Sequence, residues 1–119
     1  ASPYTKYAEG PEAAFREVCR NGALLLLAGI PVFSPIAHTH PISVHGGIEA
    51  GRTFWLAADK PFMHTSQGMI ILEMDGWQDS EGVSAETAYF LYARKPIITM
   101  TPGRVPEVLR VWGHQVLKS

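Results

Sequence analysis

The segment 68–96, GMIILEMDGWQDSEGVSAETAYFLYARKP, constrains the fold more than any other part of this chain. Met69-Ile70-Ile71-Leu72 is an unbroken apolar run, short and β-branched, which predicts a buried strand rather than a helix. The polar stretch Asp75-Gly76-Trp77-Gln78-Asp79 breaks it. A helix follows, with Asp79 or Ser80 as N-cap and Glu81 in its first turn. Val83, Thr87, Phe90 and Leu91 fall on one side of that helix at i, i+4, i+7 and i+8. Lys95-Pro96 ends it, and Ile97-Ile98-Thr99-Met100 predicts a second buried strand. Strand, loop, helix and strand in this order make a βαβ unit, with a right-handed crossover expected. Ligands in open α/β sheets bind at the carboxyl ends of the strands, beside helix N-termini. Glu86, one to two turns into the helix, is within reach of such a ligand.

The rest of the chain is read around that unit. With 119 residues it is expected to be a single domain over 1–119. Ala1-Ser2-Pro3-Tyr4 reads as the end of a strand and its loop, so a truncated first strand, central in the sheet, is expected before it. Gly10-Pro11 opens a helix with Pro11 at N1, a buried stripe of Phe15, Val18, Gly22, Leu25 and Leu26, and Gly29 just past its end. Ile30-Pro31-Val32-Phe33 reads as a short strand and 34–47 as a long loop. Residues 54–63 read as a helix, and Pro102-Gly103 turns the chain into a last helix with Val105, Leu109, Trp112 and Val116 on one face. The alternation predicts an α/β fold, a three-layer α/β/α sandwich with a mainly parallel Rossmann/flavodoxin-like sheet of four to five strands.

A formal charge of −1 provides no basic field for nucleic acid. Cys19, the one cysteine, excludes an intramolecular disulfide and paired-thiolate zinc sites, and in its helix it reads as core or near-core. The longest apolar stretch, Ala23 to Ile30, is too short to span a bilayer, and no signal peptide is visible, so a cytoplasmic protein with no membrane partner is expected.

Ser2-Pro3-Tyr4, Val32-Phe33-Ser34-Pro35, Asp59 in a helix, and Gly82-Val83-Ser84-Ala85-Glu86 before Ala88 and Lys95-Pro96 resemble the nucleoside 2-deoxyribosyltransferase-like superfamily, in particular its small, functionally unassigned bacterial and phage members. The similarity covers nearly the whole chain in order. It implies cleavage or transfer of the N-glycosidic bond of a nucleoside or nucleoside 5′-monophosphate, without metal or organic cofactor. It implies Glu86 as the nucleophile at C1′, forming a covalent glycosyl intermediate. Asp59, matched with a one-residue gap, is implied to contact sugar or base and to act as general acid if burial raises its pKa. Tyr4 is implied near the aromatic lining of the pocket. Six residues before the glutamate, an aspartate goes with nucleosides and a serine with monophosphates. Ser80 occupies that place without a gap and Asp79 with one, so both substrates stay open. Gly82 belongs to the helix turn whose N–H groups would hold a hydroxyl or phosphate. Dimers or higher homo-oligomers are implied as well.

The histidines need their own reading. His40, in a segment leading toward the ligand edge, is placed to touch base or phosphate. His38-Thr39-His40 in an extended segment would put two imidazoles on one side, a half-site for metal with His45 nearby. Trp55 and Trp77 are placed either to stack on a base or to pack at the rim. The main rival to an enzyme is a catalytically silent nucleotide-binding module, with Glu86 accepting from a ribose hydroxyl.

Overall fold

The computed structural model describes residues 1–4 and 7–111. Helix α1 (Pro11–Leu27) is followed by α2 (Pro35–Gly46) and α3 (Arg52–Thr65). Strand β1 (Met69–Leu72), a short 3-10 turn (Trp77–Asp79), α4 (Glu81–Tyr92) and β2 (Ile97–Met100) complete the series. A further helical stretch starts at 107 and reaches 111. Trp112 and Val116, expected on its apolar face, lie outside the described residues.

The βαβ unit forms as the sequence predicts. β1 and β2 pair in parallel, with Met69 opposite Ile97 and Leu72 opposite Met100. A parallel pair needs a long crossover, and α4 supplies it. Gly68 enters β1 so close to the other strand that an added Cβ would lie 2.9 Å from the Pro96 carbonyl oxygen. The opposite edge of β1 is met by the backbone of Ala1, whose amino nitrogen donates to Ile70 O and whose carbonyl accepts from the Leu72 N–H at 2.8 Å.

Because strand side chains alternate, β1 sends its residues into two separate clusters. Met69 and Ile71 pack with Met63 of α3 and with Val83 and Phe90 of α4. Leu72 points the other way, into Ala14, Val18 and Leu25 of α1, with Ile30, Met74, Met100 and Val105.

Four expectations are corrected. The sheet of four to five strands is not there: 58% of the described residues are helical, and the sheet among them has two strands, so the Rossmann-like three-layer sandwich is overturned. Residues 30–33 form no ladder. The Ile30 N–H already bonds Leu25 O at 2.9 Å, closing a Schellman cap with Gly29 at φ 86°, and Pro31 has no N–H to offer. The segment 34–47 is a helix rather than a loop. Ser34 caps α2 by accepting from the Ala37 N–H at 3.3 Å, Pro35 takes N1, and Gly47 ends it in the left-handed region. Finally, the buried stripe of α1 is Ala14, Val18, Asn21 and Leu25. Leu26 is exposed, as is Cys19, so the stripe is rotated from the expected phase. Asn21 is accommodated because its amide bonds Glu17 O at 2.8 Å and accepts from the Gly103 N–H at 2.7 Å. On α4, Val83 and Phe90 are buried as expected, while Leu91 faces outward.

Among the described residues no helix is long and apolar enough to cross a membrane.

Met100, 1% exposed, joins β2 to the α1 cluster, whereas its neighbour Thr99 is exposed. Met100→Ala is expected to lower unfolding free energy by ~2–5 kcal/mol, and Thr99→Ala by no more than ~0.5 kcal/mol. Urea denaturation of both variants checks this; equal losses would contradict the assignment of Met100 to the core.

Candidate active site

Three helices and the first residues of the chain enclose a cleft of about 430 Å³, within the range of small-molecule sites. Each helix contributes a stripe at i, i+3, i+4 or i+7, the spacing that defines one helical face. From α2 come Ile36, Thr39, His40 and Ser43; from α3, Arg52, Trp55, Leu56 and Asp59; from α4, Gly82, Ala85 and Glu86, with Ser80 and Glu81 at its start. Ser2 and Tyr4 close the remaining side. The small residues Gly82 and Ala85 leave the α4 wall open to an occupant.

Polar groups in inward positions mark the site. Among the described residues four polar or charged side chains are buried: Asn21, His40, Asp59 and Ser80. Three of them line the cleft. Ser80 is the N-cap of α4, accepting from the Val83 N–H at 3.2 Å. Asp59 is 8% exposed, and no hydrogen bond to its carboxylate occurs among the described residues. Burial pushes its pKa up, against a smaller opposite effect of His38. Glu86 is half-buried. Burial pushes its carboxyl up as well, the Ala1 amino group acts in the other direction, and the Asp59 charge raises it further. Both carboxyls of the cleft therefore hold their protons to higher pH than a free carboxyl does, chiefly through burial.

His40 is 6% exposed and held on both ring nitrogens. Nδ1 lies 2.6 Å from the Tyr4 hydroxyl and Nε2 lies 2.8 Å from Glu12 Oε2. Phe15 stacks on the ring with centroids 4.6 Å apart. Glu12 is ion-paired on its other oxygen with Arg16 at 3.2 Å, and the His40 hydrogen bond is the main reason its pKa is lowered. At the mouth, Arg52 Nε of α3 lies 3.8 Å from Glu81 Oε2 of α4, both side chains exposed.

Tyr4, His40, Asp59, Ser80, Gly82 and Glu86 thus meet in one cleft. Asp79 does not. It is exposed and lines a shallow depression outside, with Gln78 and Ser84. His40 differs from its sequence reading, since both ring nitrogens are engaged by side chains and neither is free for a base or phosphate. The metal half-site is also corrected: on a helix residues two apart point about 200° away from each other. His38 is exposed beside Phe33 and Phe62 while His40 is buried, and no three His, Cys, Asp or Glu side chains converge as ligands among the described residues. Trp55 lines the cleft, whereas Trp77 packs on the α4 cluster. Glu12 and Arg52 escaped the sequence reading. Glu12 is an acid in the first turn of α1, an ordinary place for one, and only the tertiary contact with His40 distinguishes it. Arg52 lies at the start of a helix whose polar stripe, Arg52 and Asp59 seven apart, was the available signal.

The raised carboxyl groups set a sign for stability. The folded chain holds these protons more tightly than the unfolded chain, so stability is fully present below the ordinary carboxylate range and is lost as pH rises through the folded values. Asp59→Asn, which cannot ionise, is therefore expected to be more stable than wild type at pH 7, with the difference disappearing near pH 3. Denaturant midpoints of both proteins across that range check it; a variant less stable at pH 7 would contradict it.

No curated protein matches the chain. Residues 1–102 match the family model described as Domain of unknown function (DUF1937), and the chain belongs to that family.

Proposed function

We propose that the protein cleaves or transfers the N-glycosidic bond of a nucleoside 5′-monophosphate through a covalent glycosyl-Glu86 intermediate. The observation that carries this reading is the pair of raised carboxyls, Asp59 and Glu86, in a cleft capped by Ser80 and the N-terminus of α4. In this reading the ionised Glu86, whose charge the Ala1 amino group favours, attacks C1′, and Asp59, whose pKa burial raises, donates a proton to the departing base. The C1′–N bond breaks with its electron pair on the base, the base takes the Asp59 proton, and the Glu86 oxygen–C1′ bond forms. Water or a second base then attacks C1′ and frees the Glu86 carboxylate. The low dielectric that raises both pKa values also strengthens the attraction between carboxylate and oxocarbenium-like carbon.

A phosphate on the substrate suits the end of the cleft at Ser80. The free N–H groups of the first turn of α4 attract anions, and Arg52 at the rim can turn from Glu81 to a phosphate at the cost of an exposed ion pair worth ~0–1 kcal/mol. Glu81 itself is exposed and turned toward Arg52, so it need not oppose the anion. Ser80 inside the cleft and Asp79 outside it support the ungapped match to the monophosphate pattern. Trp55 supplies a flat apolar wall for a base.

Wild type incubated with nucleosides and 5′-monophosphates is expected to release free base, faster from the phosphates. Glu86→Gln should lower that rate by ~10³-fold or more, the scale on which losing a nucleophile acts. Arg52→Ala should narrow the preference for phosphate over nucleoside. Chromatography of the released base reads all three. Thermal stabilisation by nucleotides with no base released would instead identify a binding module.

A further inference from the structure

We propose that Tyr4, backed by the buried His40 and its partner Glu12, is the base that activates water for hydrolysis of the glycosyl-Glu86 intermediate. The inference rests on the function proposed above and assigns the acceptor, which that reading leaves as water or a second base.

The tautomer follows from the partners. A carboxylate only accepts, so His40 Nε2 carries the hydrogen and donates to Glu12 Oε2 at 2.8 Å. Nδ1 is then the acceptor, and the Tyr4 hydroxyl donates to it at 2.6 Å. Tyr4 and His40 both line the cleft that holds Glu86, and the phenol oxygen retains acceptor capacity beyond its bond to His40. This is the connectivity of a nucleophile or base, a histidine and an orienting carboxylate, with a phenol in the first place. The stacked Phe15 ring and 6% exposure hold the imidazole in register. Arg16 occupies the other oxygen of Glu12, leaving Oε2 for His40.

The step balances. Water oxygen bonds C1′ as the C1′–Glu86 oxygen bond breaks and its electron pair returns to the carboxylate. The water proton passes to the Tyr4 oxygen while the Tyr4 proton passes to His40 Nδ1. The resulting imidazolium is stabilised by Glu12, and the proton returns to solvent on product release. Burial, and after it the Glu12 charge, raise the Tyr4 pKa, which disfavours a free phenolate and requires the two transfers to occur together.

Tyr4 is accordingly a catalytic residue, and His40 and Glu12 are positioning residues. The test separates the two half-reactions in rapid-quench experiments on the 5′-monophosphate that wild type hydrolyses fastest, using Glu12→Gln and Tyr4→Phe. Glu12→Gln retains an acceptor oxygen for Nε2–H but removes the charge, and its site is exposed, so the fold survives. Expected are a burst of about one equivalent of base, steady turnover lowered by ~10²-fold, and an intact mass raised by the bound sugar phosphate. Wild-type turnover in both variants, or burst and turnover falling together with no mass increase, overturns the relay. If wild type itself releases no base from any substrate, the proposed function fails, and the relay's part in it fails with it.

Discussion

Parallel pairing of β1 with β2 is the constraint from which the cleft follows. Two parallel strands cannot be joined by a tight turn, so the chain must leave the carboxyl end of β1, cross as α4, and re-enter at the start of β2. That route places the N-terminus of α4 at the carboxyl end of the strands, and Ser80 with it. Val83 and Phe90 fix the rotation of α4 against Met69 and Ile71. Glu86, three residues after Val83 and four before Phe90, stands only about 60° and 40° around the helix from them and so shares their side of α4. It lies half-buried where that side meets the cleft, with the Ala1 amino group and Asp59 as its charged neighbours.

The difference between Asn21 and Asp59 shows where the fold is used for packing and where for chemistry. Both are buried, at 3% and 8% exposure. Asn21 satisfies its amide fully within the chain, tying α1 to the turn at Gly103. Asp59 has no hydrogen bond from another described residue, and its carboxyl oxygens are not sealed off, since among the described residues no buried side-chain oxygen lacks a partner. A carboxyl with a raised pKa that opens onto a cleft is a group an occupant can meet. The polar inward stripes of α2, α3 and α4 are the same fact on a larger scale: part of the surface that could have enlarged the core is left open to an occupant.

What could be read in the sequence follows the strength of local signals. The apolar runs 69–72 and 97–100 are strands, and the helix between them begins at Ser80, because length, β-branching and capping agree there. Ile30-Pro31-Val32-Phe33 has the same apolar look, but the Schellman cap of α1 takes the Ile30 donor and proline removes the next, which backbone bonding decides and composition does not. The helix α2 was hidden for a different reason. Its start and stop are plain, Ser34-Pro35 and Gly46-Gly47, but Pro41 sits inside it and its inward face carries His40, Thr39 and Ser43 where a core helix carries leucines. Binary patterning assumes the buried face is apolar, and it fails where a helix lines a site. The phase of α1 fails likewise, since Asn21 replaces an apolar residue in the buried stripe and Leu26 stands outside it.

The cleft therefore has two proton systems on different walls. Asp59 and Glu86, from α3 and α4, are one, two carboxyls whose pKa values burial raises. Tyr4, His40 and Glu12, from the chain start, α2 and α1, form the other by directed hydrogen bonds. Burial keeps a proton on a carboxyl to higher pH, where it is available to a leaving group, whereas an oriented imidazole with a carboxylate behind it makes a proton easy to accept. A reaction that first expels a base and then adds water gives a proton in the first step and takes one in the second. Separating them on elements that enter the cleft from opposite ends of the chain lets each keep its own electrostatic setting. Three helices and the first residues line one small volume, and α1 reaches it only through Glu12 behind His40.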